Sequence, residues 1–362
     1  MVDINSNIKF FLNNQPKGYI PKHNQNILDF SGLVNVLGFS LKITKIIEKI
    51  SLNILNQYGD RSGSSLKSKI SRWLKIPVSF ISLGNGSDEL IELISRTFIN
   101  PGEIIISQTP TFFRVIEASL RAGAKIKLVK AENDFTLSNQ FTEKMIDEIK
   151  KSQPKLIWLC TPCNPTGETV ALDHISKIAS IARELVIVDE VYQEILDPEN
   201  KKSAINLLSE HENIIILKSF SKAFGLAGIR IGFVIGNPKI IDIFEKTRLN
   251  FNISTLSQKI AESALDDLGF LKKSHKFFKK EREWLFAEIR KLSSLVIGGN
   301  SKINVFILKH KTKNIFQELL NHKILTADFN QANGLENQGF VRITIKTRQE
   351  NEILLRALKK IN

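Results

Sequence analysis

The chain has 362 residues, of which 42% are hydrophobic and 24% charged, with a formal net charge of +14. That length exceeds the size at which one core keeps growing, so a large domain plus a smaller one is expected, and the ordinary globular composition calls for no staples. The basic excess is scattered, with no arginine-rich arm, no basic and aromatic interleaving and no zinc-finger spacing, which argues against a nucleic-acid partner.

The first 45 residues are irregular and Asn-rich, and are expected to pack across both domains. The opening "MVDINSNIKFFLNNQ" lacks the basic start and apolar core of a signal peptide. No apolar run approaches a membrane span, so a cytoplasmic protein without a membrane partner is expected.

A large domain is expected over 46–250. Within it "ISLGNGSDELIEL" reads as a glycine-rich turn into a helix, which puts Gly86, Ser87 and Asp88 at a helix N-terminus suited to a phosphate. From there short β-branched runs alternate with helical periodicity. The runs are "EIIIS" (103–107), "KIKLV" (125–129), "KLIWLC" (155–160), "LVIVD" (185–189), "NIIILK" (213–218) and "IRIGFVI" (229–235). Such alternation predicts an α/β fold, a mostly parallel sheet with helices on both faces. After Pro238 the texture changes to a long helical region through about Leu292. A strand at "NVFILK", a helix near "NIFQELLNH", a strand at "FVRITIK" and a closing helix follow, so 251–362 reads as a smaller α+β domain.

The two cysteines, Cys160 and Cys163, form "CTPC". A redox pair or half a metal site has this spacing, but two further ligands at metal spacing are missing, and the pair reads instead as small residues at a strand end. No metal is expected.

In open parallel sheets ligands bind beyond the carboxyl ends of the strands. "KLIWLC" ends in "TPCNPTG" with Asn164; "LVIVD" ends in Asp189 with Tyr192 three residues on; "NIIILK" ends in Ser219, Ser221 and Lys222, with Arg230 eight residues further. Taken singly, Lys222 reads as a surface lysine on a turn and Arg230 as a strand charge lying along its own stem. Taken together, one lysine, one carboxylate, one arginine, hydroxyls and a helix N-terminus suit a cofactor with a basic ring nitrogen, an aldehyde and a phosphate. That description fits pyridoxal 5'-phosphate, held through a lysine with an aspartate at its ring nitrogen.

The chain resembles the fold-type I pyridoxal-phosphate enzymes of the class I/II aminotransferase superfamily, in the branch of histidinol-phosphate aminotransferase and threonine-phosphate decarboxylase. The resemblance runs from "LDFSGLVNVLG" to "VRITIKTRQENEILLRAL" and rests on "NPTG", D-x-x-Y and S-x-S-K with its trailing arginine. It implies that Lys222 holds the cofactor covalently, that Asp189 pairs with the ring nitrogen, and that Asn164 and Tyr192 bond the ring's phenolic oxygen. It implies that Ser219, Ser221 and Arg230 take the phosphate, that Phe112 in "TPTFFRV" stacks on the ring, and that Tyr58 in "NQYGD" crosses a homodimer interface. On the substrate side it implies Arg342 as a carboxylate clamp and Asn35 as a substrate contact.

Two departures bear on the substrate. Leu33 and Val36 stand where the family's "N-x-N-P" has its first asparagine and its proline, and Ala327 stands where an "I-L-x-R-D" arginine is expected. One anion contact is then missing unless another basic side chain replaces it. The histidine and paired glycines of threonine-phosphate decarboxylases are not evident in "NNQPKGYIPKH". The expected activity is amino transfer between a small, sometimes phosphorylated, amino compound and a 2-oxo acid. A threonine-phosphate decarboxylase is the alternative, because the same residues serve both reactions. A non-catalytic binding or regulatory protein on the same fold is opposed by the intact Lys222, Asp189 and Arg230.

Overall fold

The computed structural model describes residues 4–15 and 27–362. Its largest element is a seven-stranded sheet in the spatial order Ile81–Gly84, Gly232–Gly236, Ile214–Ser219, Leu185–Asp189, Leu156–Cys160, Ile104–Thr109, Lys125–Lys130. Gly232–Gly236 runs antiparallel to both its neighbours, and the other pairings are parallel. The central strands are buried along their length because helices such as Gly86–Phe98, Phe113–Arg121, Asn139–Ser152 and Leu172–Ile181 carry the chain between strands and cover the sheet. Burial on both faces is why these strands read as unbroken runs of Ile, Leu and Val rather than as alternating patterns.

A smaller antiparallel sheet follows, ordered Ala327–Asp328, Val341–Thr344, Val305–His310, Leu295–Gly298. It packs with the helices Gly269–Ile289, Ile315–Asn321 and Arg348–Ile361. The last of these starts at a capping box, in which the Thr347 hydroxyl accepts from the Glu350 amide and the Glu350 carboxylate accepts from the Thr347 amide. Among the described residues no helix is long and apolar enough to cross a membrane.

Four details differ from the sequence reading. Ile81–Gly84 forms an antiparallel edge strand where a turn was expected, and Leu295–Gly298 adds a strand to the small sheet. Ser6–Asn13 is a helix within the stretch read as irregular, capped by the Asn5 side chain. The strand expected from residue 229 begins at Gly232. Residues 227–229 make a 3-10 turn and Arg230 takes a left-handed conformation, φ +53°.

Candidate active site

Three neighbouring strands end in register. Cys160 pairs with Asp189, and Asp189 with Leu217 two residues before Ser219. The loops beyond these ends, with the N-terminus of the helix Gly86–Phe98, enclose one cleft. Ser87, Asp88, Phe112, Asn164, Asp189, Tyr192, Ser221, Lys222 and Arg230 all line it. Cys160, Val191 and Ala227, which the sequence did not mark as lining residues, complete the wall together with Leu33.

Burial dominates the electrostatics of this cleft. The Asp189 carboxylate is 2% exposed and receives the Val191 amide at 3.2 Å. Burial pushes its pKa up to about 7, against that hydrogen bond and the attraction of Lys222. Burial, reinforced by the positive charge of Arg342, holds the Lys222 amine down at about 8. The Lys222 Nζ stands 5.5 Å from the centroid of the Tyr192 ring. Burial also raises the Tyr192 phenol above its ordinary range.

At the other end of the cleft, Arg230 donates to the Ala227 carbonyl at 3.0 Å and to Asp88 Oδ2 at 3.3 Å. Its left-handed backbone aims the guanidinium back across the first turn of the helix Gly86–Phe98. Gly86 permits that approach: its φ is +76°, and a Cβ there would meet Arg230 Nη2 at 2.5 Å. Gly86 itself therefore contributes backbone and space rather than a lining side chain.

The remaining expected residues lie outside the lining. The Ser219 hydroxyl is engaged within the loop, accepting from the Ser221 amide at 3.0 Å and donating to the Ile231 carbonyl at 3.4 Å. Asn35 is buried with its amide spent on structure, donating to the Ala223 carbonyl at 3.0 Å and to Ser274 Oγ at 2.9 Å. It braces the loop that carries Lys222 and does not face the cleft. Arg342 is buried just behind the wall, donating to Asn164 Oδ1 at 3.0 Å and to the Ser31 carbonyl at 2.6 Å, with its guanidinium over the Phe329 ring. Tyr58 is 87% exposed, with its ring 4.8 Å from that of Phe251.

Ala327 pairs with Arg342 across the small sheet and is fully buried in an apolar cluster with Phe135, Ile307, Phe329, Leu335 and Phe340. That setting suits a methyl group and supplies no anion contact. Among the residues lining the cleft, Lys222 and Arg230 are the basic ones. The stretch "NNQPKGYIPKH" lies mostly outside the described residues.

One buried cluster carried no signal in the sequence reading. Lys218 Nζ lies 3.0 Å from Glu190 Oε2, 2.8 Å from Glu194 Oε1 and 2.8 Å from Asn200 Oδ1. Burial opposes its charge, but the Glu194 and Glu190 carboxylates outweigh it and raise the pKa. The cluster ties the neighbours of Asp189 and Tyr192 to the strand that leads into Lys222.

Two features fit pyridoxal phosphate. The Tyr192 hydroxyl is buried with no hydrogen-bond partner among the described residues, a state that a bound acceptor or donor would relieve. Asp189 is a buried carboxylate whose raised pKa a cationic ring nitrogen would bring down. Ser87, Ser221, Arg230 and the amides of the helix start could hold the phosphate, and Lys222 the aldehyde carbon. Among the described residues no group of His, Cys, Asp and Glu side chains could hold a metal ion.

Comparison with known proteins gives the same assignment. The family model for aminotransferase class I and II matches residues 39–358. A histidinol-phosphate aminotransferase of Thermoanaerobacter pseudethanolicus is 36% identical over 320 residues, 88% of each chain. In fold, the chain is similar to the histidinol-phosphate aminotransferase of Clostridium acetobutylicum, with TM-score 0.84 and 24% identity over 92% of this chain and 99% of that one. It is also similar to that of Sinorhizobium meliloti in complex with pyridoxal-5'-phosphate, with TM-score 0.82 and 22% identity over 93% and 92%. The chain belongs to the class I and II aminotransferases and is a pyridoxal-phosphate-dependent aminotransferase.

Proposed function

We propose that the protein transfers the amino group of a phosphorylated amino compound of the histidinol-phosphate type to a 2-oxo acid. The substrate class is carried by one observation: the Thermoanaerobacter relative named for it is 36% identical across 88% of both chains. Arg342 supports the reading, because its guanidinium is a buried positive charge just behind the cleft wall, where Nη1 donates to the cleft-lining Asn164.

When bound, pyridoxal phosphate supplies an electron sink for charge developing at the substrate's α-carbon. In this reading Lys222 would hold the cofactor and its free amine would carry a proton to and from the substrate's α-carbon. Asp189 holds the proton on the ring nitrogen, Asn164 and Tyr192 orient the phenolic oxygen, and Phe112 covers the ring. Ser87, Ser221 and Arg230 bind the phosphate with the amides of Gly86, Ser87 and Asp88, while Ser219 supports Ser221 from behind.

The test is the ratio of kcat/KM for histidinol phosphate to that for histidinol without its phosphate. A preference of tenfold or more, about 1.4 kcal/mol or above, is expected. Equal values would contradict the substrate class. Arg342→Ala is expected to lower kcat/KM for the phosphorylated amine by roughly tenfold to hundredfold, the worth of about one charge-assisted hydrogen bond. Unchanged kinetics in that variant would remove Arg342 from the substrate site.

The active unit in this reading is a cytoplasmic homodimer. Leu41, Ile47, Leu55, Tyr58, Leu249 and Phe251 are exposed, with Leu41 at 80%, and so large an apolar display on a monomer suits a second copy of the chain. Tyr58 would reach the partner's cofactor phosphate. Tyr58→Phe is then expected to weaken cofactor affinity by roughly tenfold while the protein sediments as a dimer. A fully active monomer at assay concentration would contradict this.

The domain division belongs to the same proposal, with 46–250 as the cofactor domain, 251–362 as the small domain and 1–45 crossing between them. In support, Asn35 bonds Ala223 and Ser274, and the Phe30 carbonyl accepts from the Thr344 amide of the small sheet. Residues 1–3 and 16–26 of the crossing segment lie outside the described residues.

A further inference from the structure

Asp88 lines the cleft on the same wall as Ser87 and Arg230, so a carboxylate stands among the groups that would bind a phosphate. A carboxylate in the first turn of a helix suits the helix dipole, but two anions at one helix start repel each other. The charge of Asp88 also reaches across the cleft. Behind burial and the nearer contacts, it raises the pKa of Asp189 and works against the lowering of that of Lys222.

The neighbours of Asp88 show what balances this charge. Its Oδ2 lies 3.3 Å from Arg230 Nη2, and its Oδ1 lies 3.8 Å from Nε of Arg114, in the first turn of the helix Phe113–Arg121. Arg114 also pairs with Glu92 at 3.3 Å, one turn along from Asp88, and with Glu117 on its own helix. Glu92 and Glu117 each have a second partner in Arg121. Among the described residues, the ion-pair partners of Asp88 are Arg114 and Arg230.

We propose that Arg114 is a positioning residue for the cofactor phosphate, holding and neutralising the Asp88 carboxylate so that the Arg230 guanidinium is available to the phosphate. The proposal rests on the reading of Ser87, Ser221 and Arg230 as the phosphate site. Without Arg114, Asp88 would lean on Arg230 alone, and a guanidinium meant for the phosphate would be shared with a carboxylate. Glu92 and Glu117 would keep Arg121, so the two helices stay tied. Arg114 is not among the residues lining the cleft, and it acts through Asp88 rather than by touching the cofactor. Both side chains are partly exposed, so water screens the pair and the effect is moderate.

The test measures the apparent dissociation constants of the apoprotein for pyridoxal 5'-phosphate and for pyridoxal, which lacks the phosphate. Their ratio isolates what the phosphate contributes. Arg114→Gln is expected to weaken pyridoxal 5'-phosphate by roughly three- to tenfold and to leave pyridoxal within about twofold. Arg114→Lys, which keeps the charge, is expected to keep the preference for the phosphorylated form. Adding Asp88→Asn to Arg114→Gln is expected to restore most of the loss, because the charge that Arg114 balances is then gone. A loss shared equally by the two ligands, or one that Asp88→Asn leaves in place, would make Arg114 a brace between helices and overturn the proposal.

Arg230→Gln separates the proposal from its premise. It is expected to lower the preference for the phosphorylated form by about tenfold or more. If Arg230→Gln lowers it and Arg114→Gln does not, the phosphate site stands and the role of Arg114 falls. If neither lowers it, the phosphate is held elsewhere and both readings fall.

Discussion

Lys222→Ala is expected to abolish amino transfer and covalent retention of the cofactor together. Lys222 is the lysine at the strand ends that shares a cleft with Asp189, Tyr192 and Arg230, and the other basic group there is a guanidinium that cannot act as the amine. Its depressed pKa serves the same end. At pH 7 a pKa of about 8 leaves about a tenth of the amine neutral, against about one part in three thousand at the ordinary lysine value. The neutral amine is the nucleophile, so cofactor loading into the apoprotein is expected to quicken as pH rises and to level off above about 8. Loading that quickens only near the ordinary lysine pKa would show that burial and Arg342 do not tune this amine.

Asp189→Asn is expected to leave the fold intact and to slow turnover by about a hundredfold or more, corresponding to about 3 kcal/mol. The substitution preserves shape and one hydrogen-bonding group but removes the negative charge. In the protein alone, burial holds this carboxylate near 7, so an ionised Asp189 at neutral pH is a poorly solvated charge in need of a cationic partner. A protonated ring nitrogen would supply that partner, and the pair would favour the charged form of both groups. The asparagine variant loses that preference, so the ring nitrogen reverts toward its neutral, weakly electron-withdrawing form. Near-normal kcat in Asp189→Asn would contradict the role.

Much of this site was legible because parallel strands buried on both faces leave a plain signature. "LIWLC", "LVIVD" and "IIILK" each end where the polar residues begin, and the ends coincide in space as they do in sequence. Illegible features depended on local geometry or on distant partners. Arg230 sits among Ile229, Ile231 and Phe233 and so reads as strand, whereas a left-handed φ places it in a turn, with its guanidinium on the Ala227 carbonyl and Asp88. Asn35 reads as a polar residue free to meet a substrate, but its partners Ala223 and Ser274 are far along the chain. Lys218 reads as the last charge of an apolar run, and only the folded sheet brings Glu190 and Glu194 to it. Ile81–Gly84 is short and ends in glycine, so periodicity gave it no weight as an edge strand.

Amino transfer makes one demand that no other reaction on this cleft makes: the first substrate must stop the enzyme until a second arrives. Loaded holoenzyme mixed with the proposed phosphorylated amine, without any 2-oxo acid, should release one equivalent of oxo product per active site and then halt. Adding a 2-oxo acid should restart it, with one amino acid formed per oxo product and no carbon dioxide. Continuous release of carbon dioxide from O-phosphothreonine with no acceptor present, and no product from the phosphorylated amine, would contradict the account and make the protein a decarboxylase.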